Sequence, residues 1–369
     1  MKRWIKRGLL ACAAGLVVAV VGGFAYVHAL DLDSQPPARA DSTVADLDFM
    51  RDAMPATRGK ILAVVTSTSH FPGGEKKAGF ELTELARAYY VFRANGYEVD
   101  IASPQGGSPP MRLDDEDMVA ADYAFLNDTD ARRKLDASLV LREVDPAQYA
   151  AVYFVGGKGT MFDFPGDADL QRVVRTVYQA GGVIGAVCHG PAALLEVVLD
   201  DGTPLLRNRR VAGFSNAEEL FLIKDARARF PYLLQDRLQE KGAKYVEGPM
   251  YVDTTVVDGR LVTGQNPWST WSTAEAMVRA LGHEPVARAP GRDELAVQVL
   301  AAYHRDGIDA ARRARVARPE ADKRLLLMHA LVAGMQGRLG EAWQLQALAR
   351  LSAGYSPQLL SATMRATRS

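Results

Sequence analysis

Gly182-Val-Ile-Gly-Ala-Val-Cys188-His189-Gly-Pro191 is an apolar, β-branched run that stops abruptly at a cysteine. A helical pattern follows from about Ala192 to Leu199, so the stretch predicts strand, sharp elbow and helix. A cysteine at such an elbow lies at a strand's carboxyl end and just before a helix N-terminus. There the helix dipole and the unpaired N–H groups favour the thiolate over the thiol. Gly185, Ala186 and Gly190 leave room for a strained turn and for an approaching substrate. A lone cysteine is ordinarily a small core hydrophobe. The flanking pattern argues instead for a nucleophile.

Outward from this stretch, strand and helix patterns alternate. Ile61–Val65 is a continuous apolar run ending in Thr66-Ser-Thr-Ser69, as expected of a buried parallel strand. Phe80 to Ala94 reads as a helix stopped by Asn95-Gly96, and Tyr97–Ile101 as a second strand. Residues 111–146 are charged and mostly helical in pattern, an insertion expected to cover one end of the sheet. Ala150–Val155 is a third strand, running into Gly156-Gly-Lys-Gly159; Asp167–Ala180 is a helix and Val183–Val187 the fourth strand. A short strand-like Arg210–Phe214 precedes Ser215-Asn-Ala-Glu-Glu219. Asp258-Gly259 marks a hairpin, and Ser272–Leu281 a closing helix. The alternation predicts an α/β three-layer sandwich with a mostly parallel sheet and a nucleophile elbow. Ligands bind at the carboxyl ends of such strands, where Cys188, Gly156-Gly157 and Thr66–Ser69 fall.

The 369 residues carry 44 basic and 44 acidic side chains, so no charge excess points to nucleic acid. The two cysteines, Cys12 and Cys188, exclude a disulfide framework. Lys2, Arg3, Lys6 and Arg7 precede an uncharged run, Gly8 to Leu30. It is long enough to span a bilayer, and the positive flank predicts a cytoplasmic N-terminus with the rest exported. The expectation is an N-terminal transmembrane helix holding the catalytic domain extracytoplasmic; the alternative is a signal peptide cut after Val27-His-Ala29. The domains expected are 1–30 anchor or signal sequence, 31–57 an extended, mobile linker, 58–283 the α/β domain, and 284–369 an all-helical extension. Within that extension, Gly307-Ile-Asp-Ala-Ala311 and Gly337-Arg-Leu-Gly-Glu-Ala342 each resemble the inter-helix turn of a tetratricopeptide-like repeat.

A nucleophilic cysteine needs a base, an orienting acid and an oxyanion hole. His70, His189 and His283 are the histidines of the α/β domain, and His189 adjoins the thiol. Glu218 and Glu219, leaving the next predicted strand, are the candidate acids. Glu84 lies on an otherwise apolar helix face; burial would raise its pKa and suit it to shuttle protons. Gly156-Gly157 offers N–H groups to an oxyanion. His70 with Glu75 lacks a second histidine at ligand spacing, so no metal is expected. No dinucleotide fingerprint or phosphate loop appears.

The strings AGFELTELARAYYVFRANGYEVDIASPQGG, FVGGKGTMFDFP, GGVIGAVCHGPAALL, VAGFSNAEE and DGRLVTGQNPWS resemble the PfpI-type, class I glutamine amidotransferase-like superfamily. They look most like its branch of heat-shock chaperones and glutathione-independent glyoxalase III enzymes. That resemblance implies a triad of Cys188, His189 and Glu219, with Glu84 beside the thiol and an oxyanion hole near Gly157 and the His189 backbone. It implies a cofactor-free conversion of methylglyoxal or a related small 2-oxoaldehyde to lactate or another 2-hydroxy acid through a hemithioacetal on Cys188, in a homodimer. Two positions depart from the branch: Lys158 stands where it commonly has histidine, and Arg87-Ala88 where it commonly has a proline. The charge of Lys158 would favour an anionic or a protein substrate. The alternatives are a chaperone-like stress protein or a cysteine hydrolase or deglycase, with the helical tail as a protein-binding module. A true glutamine amidotransferase would need a later histidine–acid pair, absent between Glu219 and His283.

Overall fold

The structure is a computed structural model that describes His28, Leu30 and residues 32–351 other than 75, 115 and 116. The chain divides into two compact units: Ala38–Ala289, and the stretch up to Pro37 together with Pro290 onward.

The strands among the described residues are β1 (Lys60–Val64), β2 (Phe80–Glu81), β3 (Glu98–Ser103), β4 (Met111–Arg112), β5 (Leu139–Val140), β6 (Tyr149–Phe154), β7 (Val183–Val187), β8 (Arg210–Val211), β9 (Lys244–Tyr245), β10 (Thr255–Asp258) and β11 (Leu261–Gly264). Seven form one sheet in the order β10-β11-β7-β6-β1-β3-β5. Every neighbouring pair is parallel except the β10–β11 hairpin. The apolar runs at β1, β6 and β7 are buried almost throughout, because helices cover both faces. Helices Leu82–Ala94 and Thr270–Ala280 pack together on one face, and Ala168–Gln179 packs on β6 and β7. The chain reverses its direction of travel across the sheet at β1 and β6. In sheets of this kind such a switch point is where ligands bind, at the carboxyl ends of the strands.

Several expectations are corrected. Among the described residues no helix is long and apolar enough to cross a membrane. The longest, Arg292–Asp306, has 15 residues and is charged at both ends, whereas a span needs about 20 apolar residues. The membrane-anchored architecture and the extracytoplasmic placement built on it are therefore withdrawn; the run Gly8–Leu30 lies, save His28 and Leu30, outside the described residues. Residues 38–57 are not an extended linker. Leu47 is buried and Phe49 meets Trp271 edge-on at 6.1 Å, both within the α/β unit. The insertion is not only helical: after helices Ala120–Asn127 and Thr129–Asp136 it adds β5 to the sheet edge.

The helix expected over Ala192–Leu199 is a 3-10 helix, Gly190–Leu194. All five of its residues are buried, so this segment plugs the core and has no solvent face to impose a 3.6-residue period. A Cβ at Gly190 would run into the Phe154 carbonyl of β6. Gly190→Ala should therefore cost about 1–3 kcal/mol, read as a lowered urea midpoint; an unchanged midpoint would contradict this packing.

In the other unit, helices Arg292–Asp306 and Ile308–Val316 form one hairpin and Lys323–Met335 and Leu339–Arg350 a second, and the two stack. Gly307 and Gly337 make the equivalent turns at φ 80° and 77°, a conformation that favours glycine.

Candidate active site

Cys188 terminates β7 in a left-handed conformation, φ 58°, which disfavours a side chain other than glycine or asparagine. Tertiary hydrogen bonds hold it there: its N–H donates to the Gly264 carbonyl of β11 at 3.0 Å, and its carbonyl accepts from Phe214 N–H at 2.7 Å. Strain fixed from both sides in this way is typical of a nucleophile elbow.

The next residue links the thiol to a carboxyl group through its ring. Cys188 Sγ lies 3.3 Å from His189 Nδ1, and His189 Nε2 lies 2.6 Å from Glu219 Oε2. All three side chains are buried, with the thiol 3% exposed. Burial raises the Glu219 pKa, but the His189 charge and hydrogen bond, with Lys158 and Lys76 beyond, outweigh it and the net shift is downward. Glu219 is thus a carboxylate, positioned to accept a proton from Nε2, with Nδ1 the ring nitrogen that faces sulfur. The ring is held by Phe214, 4.5 Å away, and by Phe230 at 6.2 Å. His70 is exposed beside Ser69, and His283 packs on Tyr97; neither joins the site.

Glu218 and Glu219 separate by role. Glu218 closes a capping box with Ser215 and accepts from Tyr251 N–H, Gln265 Nε2 and Asn266 Nδ2 at 2.8, 3.1 and 2.9 Å. Its acceptor capacity is spent on fixing the loop, which aims Glu219 at the imidazole. Sequence adjacency alone did not distinguish the two. The partners of Glu218 lie 33 to 48 residues downstream.

Glu84, in the first turn of helix Leu82–Ala94, is 0% exposed. Burial first, and then the neighbouring charge of Glu81, push its carboxyl up to about 8, against the opposing effects of Cys188, the Gly156 N–H and Lys158. It is a neutral acid at pH 7. Its Oε2 accepts from Gly156 N–H at 2.7 Å, Oε1 is buried with no N–H or O–H partner, and the Cys188 thiol lies within hydrogen-bonding reach of the carboxyl. A Cβ on Gly156 would come within 2.8 Å of Cys188 Cβ, so the three groups share one small space.

Two expectations change here. The Gly156 N–H serves Glu84 and is not offered to an oxyanion. Among the described residues no acceptor takes the N–H of Gly157 or of His189, and Thr160 Oγ1 lies 2.9 and 3.2 Å from the carbonyls of those same two residues. Gly157 adopts φ 107°, and a Cβ there would approach Phe80 Cα to 2.6 Å. The resting thiol, moreover, is not favoured as thiolate. Burial first, with the neighbouring carboxyls of Glu84 and Glu81 adding to it, pushes it well above the ordinary thiol range, with Lys158 opposing. A one-turn 3-10 helix supplies too little dipole to reverse this. Arg87 serves the scaffold: it is buried and pairs with Asp122 at 3.1 Å, tying the insertion to helix Leu82–Ala94.

An elbow cysteine backed by histidine and glutamate, with a second, protonated carboxyl against the thiol, defines the class. The chain belongs to the DJ-1/PfpI family, whose profile matches residues 76–280. It is 35% identical over 235 residues to the Candida albicans protein named glyoxalase 3, covering 60% of this chain and 98% of that protein. The Saccharomyces cerevisiae glutathione-independent glyoxalase HSP31 is 33% identical over 240 residues, 61% of this chain and 99% of that one. Among solved structures, Candida albicans glyoxalase III matches with a TM-score of 0.55 at 33% identity, covering 60% of this chain and 97% of that one. The Francisella tularensis Rapid Encystment Protein 24 kDa matches with a TM-score of 0.56 at 35% identity, with coverages of 60% and 99%. The resemblance to the glyoxalase III branch is borne out, and with it the expectation of an enzyme of that type.

Proposed function

We propose that this enzyme converts methylglyoxal, or a related small 2-oxoaldehyde, to the 2-hydroxy acid without glutathione. The observation that carries this reading is a fully buried carboxyl, Glu84, held neutral by burial and set against a nearly enclosed thiol. A thiol 3% exposed admits a small electrophile more readily than a peptide.

The resting groups support a balanced cycle. His189 Nδ1 takes the Cys188 proton as sulfur bonds to the aldehyde carbon, and Glu84 protonates the aldehyde oxygen, giving a hemithioacetal. Glu84, now a carboxylate, removes the hydrogen of that carbon as a proton, while imidazolium protonates the ketone oxygen; the product is an enediol. Glu84 returns its proton to the second carbon and the first hydroxyl loses its own to His189, leaving a thioester. One carbon is oxidised and its neighbour reduced, so no external redox partner enters. Water then attacks the thioester, its proton passing to Glu84. The C–S bond breaks, and sulfur recovers the proton of His189. The free N–H groups of Gly157 and His189 would stabilise oxygen as it gains charge.

The test is full-length protein with methylglyoxal and no thiol additive, followed by proton NMR. Lactate should appear in step with aldehyde loss. Folded protein inert towards methylglyoxal, glyoxal and phenylglyoxal would overturn the reading.

A further inference from the structure

The helical unit contains a charged cavity of about 370 Å³, independent of the cysteine site. Its lining includes Arg292, Arg315 and Lys323. Arg292 and Lys323 are the first residues of their helices, and Asp322 N–H donates to the Arg292 carbonyl at 2.9 Å, bringing the two N-termini together. Both N-termini are already capped by carboxylates, Asp322 accepting from the N–H groups of Arg324 and Leu325 and Glu294 from that of Gly291, so the cavity's positive charge comes from side chains. Glu320 is the carboxylate of the lining, and it is exposed.

Arg315 is the unusual member. It is 1% exposed, yet its guanidinium meets two backbone carbonyls and no carboxylate: Nε donates to Leu348 at 3.3 Å and Nη1 to Arg318 at 2.6 Å. Its Nη2 is buried with no partner. Burial alone shifts its pKa, downward, with no neighbouring charge in opposition. A buried cation without an anion is costly, and guanidinium stays charged in any ordinary protein setting. Arg292 likewise donates to a neutral oxygen, the Pro36 carbonyl. Arg315 therefore brings a buried guanidinium, with a spare N–H and no carboxylate partner, to the wall of a cavity larger than one inorganic anion fills and of the size of small-ligand pockets.

We propose that this cavity is a binding site for a small organic oxyanion, a phosphorylated or carboxylated metabolite whose anionic group pairs with Arg315 and is flanked by Arg292 and Lys323. A planar guanidinium with a spare N–H suits either group, since both offer paired oxygens.

The full-length chain would be titrated calorimetrically with inorganic phosphate and, separately, with citrate, against sodium chloride of matched ionic strength. Saturable binding of one of them is expected, and which one binds identifies the anionic group. Arg315→Met should weaken that binding by about tenfold or more, the loss of a charge-assisted hydrogen bond. The double variant Arg292→Gln/Lys323→Gln, on the rim, should weaken it comparably and serves if the first variant does not fold. Absence of saturable binding of both anions, or binding undiminished in a folded variant, would overturn the site.

Discussion

Cys188→Ala is expected to reduce lactate formation from methylglyoxal by about a thousandfold or more, the scale on which loss of a covalent nucleophile acts. The thiol is the one group in the site that can bond to the aldehyde, and His189 Nδ1 faces it. Folding should be little affected, since the alanine removes one buried sulfur and Cys188's backbone bonds to Gly264 and Phe214 remain. The stability loss should stay near 1 kcal/mol. Cys188→Ser separates nucleophile from shape: it keeps a hydrogen-bond donor to His189 yet should stay inactive. Turnover within tenfold of wild type in the alanine variant would end the covalent mechanism, whatever the substrate.

Glu84→Gln should move activity and stability in opposite directions. Turnover should fall by about a hundredfold to ten-thousandfold, because the amide cannot shuttle protons. Stability at alkaline pH should rise. The Glu84 carboxyl titrates near 8 when folded and near the ordinary 4.5 when unfolded, so between those values the folded state binds the proton more tightly. Its contribution is then fully present below about pH 4.5 and is lost as pH climbs through about 8. A difference of that size corresponds to roughly 4–5 kcal/mol for a fully buried group. Glutamine still accepts from the Gly156 N–H and carries no charge to bury. Urea unfolding of both proteins from pH 5 to 9 tests this: wild-type stability should fall steadily relative to the variant's from pH 5 to about 8 and level off relative to it above that. Parallel curves would show that Glu84 is not the buried neutral acid the cycle requires.

Much of this site is legible in the linear chain because the relevant order is local. Short β-branched apolar runs favour buried strands, the break at Cys188 marks a turn, and His189 is covalently next to the thiol. The helix face bearing Glu84 shows the same regularity, one acid among residues spaced to be buried. The membrane reading came from a local pattern too, but described helices such as Arg292–Asp306 are short and charged and give it no support.

What the sequence determined by itself, then, is the elbow, its Cys–His pair and the parallel α/β class, each written within a few residues of periodicity. Tertiary structure decided the rest, because burial and charge depend on groups far apart in the chain. It set Glu219 rather than Glu218 against the imidazole, since partners 33 to 48 residues downstream occupy Glu218. It turned Gly156 from an oxyanion donor into the partner of Glu84, 72 residues away. It replaced the expected helix after the elbow with a buried 3-10 turn, and so left a neutral thiol where local reasoning expected a thiolate. A helix dipole can be read from sequence, but the loss of water around a thiol appears only once the surrounding chain has closed over it.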